Sequence, residues 1–416
     1  MISCGFDFGT SNSAIGVARD GIPTLAPLER GATLMPTALF FDSDNTRHTL
    51  FGSDAIDAYI HGDEGRLMRA LKSALPSSLI DQTTAFGRRR VTLREVVAIF
   101  VREMKRRAEK FAGREIDGVV HGRPVTFADG DVAADVRAQA ILEDIARSAG
   151  FKEISFAFEP IAAAIHYEST IDREELILVA DIGGGTSDFS VVRIGPQRHN
   201  RIDRQDDILA NAGARIGGTD FDTALSLGVA MPLLGMGSRT LTKGLEMPKA
   251  IYHELATWAT INFAYTYRNQ RDIAELLADA AEPAKVARLL KTLRKRLGHR
   301  IAFAVEEAKL GLSADQAAAV DLNFLEAGLA TLATRAGFES AISERTERLT
   351  RGAAQCIRDA GVASSDIKTI FFTGGSSLVP AVRVAIIKAA PEALPATRSD
   401  LLSVALGLTR MAVQHA

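Results

Sequence analysis

The sequence predicts an α/β protein built as two similar halves, and three observations carry that reading. A strand, an Asp-x-Gly loop and a second strand occur across residues 2–18 and again across 176–194. Between the copies, short apolar runs alternate with helical stretches. A further strand enters a glycine loop at 369–377. The chain has 416 residues, 47% of them hydrophobic and 24% charged, enough to bury more than one core. Lys and Arg number 49 against 51 Asp and Glu, a net charge of −2 that gives no global drive towards nucleic acid or an anionic membrane. Cys4 and Cys356 stand far apart without metal-ligand spacing, no apolar run is long enough to span a bilayer, and the N-terminus lacks the basic and apolar regions of a signal peptide. A cytoplasmic protein, without membrane or nucleic-acid partners, is expected.

Taken in order, residues 2–8 read as a strand that breaks at Gly9-Thr10-Ser11-Asn12-Ser13, and 14–18 resume as a strand. Arg19-Asp20-Gly21 then supplies a turn, because Asp-Gly tolerates the positive φ that tight hairpins require. Thr92-Leu-Arg-Glu95 has the form of a capping box, and Leu93, Val96, Val97, Phe100, Val101 and Met104 recur at helical spacing, which predicts a helix as far as Gly113. Val119-Val120, then 132–149, 154–158 and 160–167, alternate strand and helix in the manner of βαβ units. Leu176-Ile-Leu-Val-Ala180 enters Asp181-Ile-Gly-Gly-Gly-Thr-Ser-Asp188, and Phe189-Ser-Val-Val-Arg-Ile194 leaves it. Residues 231–311 turn mostly helical and charge-rich, with a helix at 286–300, and read as a subdomain inserted in the second half. Thr369-Ile-Phe-Phe-Thr373 leads into Gly374-Gly375-Ser376-Ser377 and a helix, and a final helix covers 401–414.

The chemistry lies in the loops. A polyphosphate needs a concave run of unobstructed backbone N–H groups, and glycines permit the close approach. Gly9-Thr10-Ser11-Asn12-Ser13 adds hydroxyls and an amide to such a run, and Gly183-Gly184-Gly185-Thr186-Ser187 repeats the kit. Asp7 and Asp181 stand at the strand ends before them, suited to holding Mg²⁺ through its waters while the metal bridges phosphates. Either loop alone could be a structural turn, but two at matching places in two half-chains point to a nucleotide cleft. Neither GxxxxGK[ST] nor GxGxxG occurs, which sets aside P-loop and dinucleotide-binding folds.

These residues resemble the actin, sugar-kinase and heat-shock chaperone superfamily, and more closely the nucleotide-binding domain of the DnaK-type heat-shock protein 70 family. Gly5-Phe-Asp-Phe-Gly-Thr-Ser-Asn-Ser13 and Asp181-Ile-Gly-Gly-Gly-Thr-Ser-Asp-Phe-Ser190 are similar to its two phosphate loops, and Phe158-Glu-Pro-Ile-Ala-Ala-Ala164 to its connecting motif. Gly217-Gly-Thr-Asp-Phe-Asp222, Glu306-Glu-Ala-Lys-Leu-Gly-Leu-Ser313 and Thr373-Gly-Gly-Ser-Ser377 resemble three further stretches, in the family's order. Met231-Pro-Leu-Leu-Gly-Met-Gly237 and Gly122-Arg-Pro124 look like the shorter YegD-type branch.

The resemblance implies a two-lobed actin-like ATPase fold of duplicated RNase H-like cores with a helical insertion in lobe II. Lobe I would take 1–170 and a C-terminal helix at 398–416, and lobe II 171–397, with the insertion at about 220–312. It further implies ATP and Mg²⁺ as ligands, with Gly9, Thr10, Ser11, Asn12, Gly183, Gly184, Gly185, Gly217 and Gly218 cradling phosphate. Lys72 would match the lysine that orients the attacking water, and Glu159 would position metal and water. Asp188 and Thr186 would complete the γ-phosphate site, Asp7 and Asp181 would hold the metal through water, and Glu306, Lys309, Ser313, Gly374, Gly375 and Ser376 would hold adenosine. Each of two residues has a plainer reading beside it: Lys72 as a solvated helix lysine, and Glu159 as a carboxylate favoured at the helix start before Pro160.

Departures from the family limit the expectation. Full chaperones carry a substrate-binding β-domain for which a chain ending at Ala416 leaves no room, and their lobe-coupling arginine falls near Gln139, with Arg137 two residues away. The basic run 291–300 reads as a solvated helix face rather than a nucleic-acid surface, since it lacks interleaved aromatics. A slowly hydrolysing, chaperone-like ATP switch with an unnamed client or co-chaperone is the expected function. A small-molecule kinase, with Asp188 or Glu159 as base, and a filament-forming or scaffold protein that binds ATP without useful turnover remain open beside it.

Overall fold

Two runs of consecutive buried apolar residues, Cys4 to Phe6 around Gly5 and Ile177 to Ala180, form the central strands of two sheets covered on both faces. The computed structural model describes residues 2–19, 21–42, 49–86, 89–128, 131–198, 201, 204–396 and 402–414. Asp20 of the expected turn, and 398–401 and 415–416 of the expected terminal helix, lie outside the described residues. In the first sheet Ser3–Phe8 has Gly118–Arg123 and then Glu153–Phe158 parallel on one side, and Asn12–Arg19 and then Ile22–Leu25 antiparallel on the other. In the second, Glu175–Ile182 has Ile367–Thr373 and Leu394–Pro395 parallel on one side, and Ser187–Ile194 and Ile208–Ala214 antiparallel on the other. Strand order and direction are the same in both. Asp7 and Asp181 hold the same place, one residue before the end of each central strand.

Helix Leu93–Ala112 starts where the capping box predicts: Thr92 N–H donates to Glu95 Oε2 at 2.6 Å, and Glu95 N–H returns a bond to Thr92 Oγ1 at 3.2 Å. It ends on Gly113 at φ 70°. The helix expected at 286–300 is in fact two, Pro283–Arg294 and Gly298–Ala314, because Arg296 turns to φ 52° and Gly298 N–H is taken by Tyr265 Oη at 2.8 Å. An added small sheet, Thr49–Phe51, Ala38–Asp42 and Gly65–Arg69, carries helix Gly52–His61 on the first half.

Three apolar clusters organise the core. One fills the second half and its helical insertion, and one fills the first half around Phe6, Phe8, Phe100 and Met104. The third is shared: Ile161, Ala162 and Ile165 of helix Glu159–Glu168 and Leu408 and Ala412 of helix Ser403–Gln414 pack with Ile177, Val179 and Val192 of the second sheet. Glu168, at the end of the connecting helix, accepts two bonds from the buried Arg204 guanidinium, at 2.8 and 3.0 Å, and one from Gly195 N–H at 3.0 Å. No helix among the described residues is long and apolar enough to cross a membrane.

Candidate functional site

Each central strand ends in a loop, and the two loops meet. A Cβ on Gly184 would lie 2.3 Å from Ser11 Oγ, so the two loops touch and a larger residue at 184 would have to displace that hydroxyl. Thr37 fixes the first loop from outside, donating its Oγ1–H to Gly9 O at 2.8 Å and its N–H to Ser11 O at 2.8 Å. Gly218 and Thr219 N–H groups bond Gly183 O at 3.0 Å and Gly184 O at 2.8 Å, strapping the second loop to helix Gly218–Leu225. Ser376 Oγ donates to Gly183 O at 2.9 Å. Gly374, at φ 74°, brings the loop after Thr373 so near that a Cβ would stand 2.6 Å from Asp181 Oδ1.

Beneath the loops, four ionisable groups gather. Lys72, in the short 3₁₀ turn Leu71–Ala74, points its ammonium at Glu159 Oε1 at 2.6 Å, and the side chains keep only 12% and 9% of their surface. Lys72 is therefore not a solvated helix lysine. Glu159 opens helix Glu159–Glu168, and its carboxylate accepts from Lys72. Burial works against the Lys72 charge, yet Glu159, Asp7 and Asp181 outweigh it and raise its pKa. Asp7, half-buried, is pushed up to about 8 by burial first and by the Glu159 and Asp181 charges next. Asp181 rises to about 6 for the same leading reasons, with a Thr373 hydrogen bond acting the other way. Three carboxylates thus face one ammonium. Among the described residues no three His, Cys, Asp or Glu side chains form a direct metal cage.

A second ion pair lies under the strap. Lys309 Nζ sits 2.8 Å from Asp222 Oδ1, and burial lifts Asp222 to about 6 in spite of that partner. A Cβ on Gly218 would meet both Ser376 Oγ and Lys309 Nζ, so these parts of the expected adenosine set converge. Of the other expected adenosine residues, Glu306 turns to Arg69, at 3.6 Å, and Ser313 Oγ bonds its own helix at Lys309 O; of the expected phosphate residues, Thr186 is exposed, with a 3.4 Å bond to Asp188, Gly185 is exposed, and Thr10 and Asn12 are half-exposed. The guanidinium at Gln139 comes from strand residue Arg123, which also pairs with Asp135 at 2.8 Å. Thr37, Thr373, Asp222, Arg69 and Arg123 were not legible as site residues. Three of them lay inside quoted motifs without being named as site residues: Asp222 ends Gly217-Gly-Thr-Asp-Phe-Asp222, Thr373 opens Thr373-Gly-Gly-Ser-Ser377, and Arg123 is the centre of Gly122-Arg-Pro124.

Matching sheets that turn their strand-end carboxylates and glycine loops towards one cleft define the actin-like ATPase fold class. The family model described as Hsp70 protein matches residues 3–230 and 274–407, and the chain belongs to that family. It is 26% identical over 388 residues to each of two proteins named Chaperone protein DnaK, from the R1 and NRC-1 strains of Halobacterium salinarum. Those matches cover 92% of this chain and 51% of the relatives, so the chain spans about half the length of the curated relatives it matches.

Proposed function

We propose that this chain is a slow, Mg²⁺-dependent ATPase of chaperone-like kind, in which bound nucleotide sets the angle between two lobes. The observation that carries the proposal is the gathering of Asp7, Asp181, Glu159 and Lys72 beneath two touching glycine loops. Carboxylates outnumber the ammonium, and a donor set crowded enough to raise two aspartates fits a divalent cation held through water. When bound, Mg²⁺ would neutralise charge on the phosphates. Asp7 and Asp181 would hold its waters, and the N–H groups of 9–13 and 183–187 would receive phosphate oxygens. Lys72, held in place by Glu159, would orient the attacking water, with Thr186 and Asp188 beside it. Catalysis here is positioning and charge placement, with no covalent intermediate on the protein. Glu306, Lys309, Ser313, Gly374, Gly375 and Ser376 would take the nucleoside.

In this reading residues 1–170 with 398–416 move against 171–397 about the shared cluster of Ile161, Ile165, Val179 and Leu408. Protein partners that distinguish the ATP and ADP states would read the motion. A place in the YegD-type branch rests on Gly122-Arg-Pro124 and Met231-Pro-Leu-Leu-Gly-Met-Gly237.

Calorimetry with ATP and Mg²⁺, paired with phosphate release, tests the proposal. The wild type is expected to bind and turn over slowly, and Asp181→Ala to lose at least about ten-fold in affinity, or about 1.4 kcal/mol, along with hydrolysis. Failure of the intact protein to bind nucleotide would sink the proposal. Turnover that rises sharply with a sugar or acid acceptor would replace it with the kinase reading.

A further inference from the structure

We propose that the groove between helices Ser343–Asp359 and Pro380–Ile387, on the second half, docks a partner protein. The partner sets one arginine side chain on the carboxylates of Glu339 and Glu347 and a neighbouring apolar residue on Val384. The groove follows from the residues that face it. Helix Pro380–Ile387 turns Ala381, Val384 and Ala385 to it, at one-turn spacing, and Lys388 continues that stripe just past the helix end. Helix Ser343–Asp359 brings Glu347 and Thr350 to the other wall, and Glu339 comes from helix Arg335–Ala341. Thr350 Oγ1 donates to Ala385 O at 2.8 Å and ties the two helices together. With side chains this small on the facing helices, an open cavity of about 220 Å³ is left between them.

Size, charge and exposure choose the occupant. Sites for drug-sized ligands run to about 300–1,000 Å³, so this cavity suits one long side chain of a larger partner. Among the described residues the Glu339 and Glu347 carboxylates have no hydrogen-bond or ion-pair partner, and neither has the Lys388 ammonium. Two carboxylates against one ammonium favour a cation, and a planar guanidinium can bridge both carboxylates where a lysine ammonium is a single point charge. Val384 faces the cavity yet keeps 54% of its surface exposed, which leaves an apolar contact for the residue beside the arginine.

The groove also has a link to the cleft, and this part rests on the ATPase reading above. Only Val379 separates helix Pro380–Ile387 from the 3₁₀ turn Gly375–Leu378, whose Ser376 Oγ donates to Gly183 O in the second phosphate loop. A nucleotide that shifts this turn moves one wall of the groove, so the docked partner distinguishes ATP from ADP, and by reciprocity its docking changes nucleotide affinity.

Fluorescence anisotropy of a labelled acetyl-Ala-Arg-Leu-Ala amide peptide on the full chain tests the groove. The wild type is expected to bind it, and replacing the arginine by its neutral isostere citrulline should weaken binding about ten-fold. The double variant Glu339→Gln with Glu347→Gln, and separately Val384→Asp, should each weaken the arginine peptide about ten-fold as well. No binding by wild type, equal binding of the arginine and citrulline peptides, or unchanged binding in both variants would overturn the proposal. Exchanging Mg-ADP for Mg-ATP should change the peptide's affinity about five-fold or more. Equal affinity in the two nucleotide states would overturn the link while the groove stands, and a wild type that binds peptide but no nucleotide would remove the ATPase reading instead.

Discussion

At the scale of single residues, the site separates what neighbours in sequence disclose from what only folding assembles. Asp7 and Asp181 were legible because a strand end and its glycine loop are local, and two copies reinforce each other. Lys72 was named only through the resemblance, since its flanks match the family poorly and its partner Glu159 lies 87 residues away. His121 offers a prediction of the same kind. It is fully buried among Phe6, Phe8 and Phe156, donates to Gly122 O at 2.8 Å if Nδ1 holds the proton, and leaves Nε2 without a partner. Burial lowers it to about 4. The unfolded histidine, near 6.5, binds protons that the folded one refuses, so its contribution is complete above about pH 6.5 and is lost as pH falls towards 4. His121→Phe is expected to flatten that slope and to gain about 2 kcal/mol over wild type at pH 5. Thermal unfolding across pH 4.5–7.5 measures it, and an unchanged slope would contradict the account.

Elements obeyed their local signals where those signals were complete. The Thr92–Glu95 box and Gly113 bracketed a helix as predicted, because capping chemistry is contained within one turn. The 286–300 run showed helical periodicity throughout, yet Arg296 breaks it. The reason is tertiary, since the Gly298 N–H is bonded to Tyr265 and no periodicity reports that. The connecting helix Glu159–Glu168 is pinned at both ends by charge, Glu159 on Lys72 and Glu168 on Arg204. Arg204 also binds the fully buried Asp207, which Arg198 shares. Removing the central cation takes the buried guanidinium from Glu168, which keeps the Gly195 N–H, and one of the guanidinium partners from Asp207, which keeps Arg198 and Arg201. Arg204→Ala is therefore expected to cost about 3–5 kcal/mol, read as a lowered urea midpoint. A loss below about 1 kcal/mol, the scale of a surface pair, would show that Arg204 acts as one.

For the whole molecule, two loops disclosed a repeated strand, loop and strand, and the resemblance supplied the duplicated cores and the connecting motif, whereas the apolar cluster shared between the halves had no signal. Leu408, fully buried in the shared cluster, belongs to neither half alone. Leu408→Ala should cost about 2–5 kcal/mol and loosen the coupling. Trp258, the one tryptophan, reports the second half, so its fluorescence and far-UV dichroism should trace separate urea transitions in the variant. A single coincident transition at the wild-type midpoint would refute that. Helix Ser403–Gln414 has a consequence for biosynthesis too. Its backbone lies so close to the first strand that a Cβ on Gly5 would meet Thr409 N at 2.1 Å, and one on Gly407 would meet Ala162 O at 1.9 Å. The first strand thus receives its cover from residues made about 400 positions later. At ribosomal speeds of about 5–20 residues per second, the gap is roughly 20–80 s. During that interval the nascent first half exposes an unfinished apolar seam, and its vectorial folding must wait for helix Ser403–Gln414.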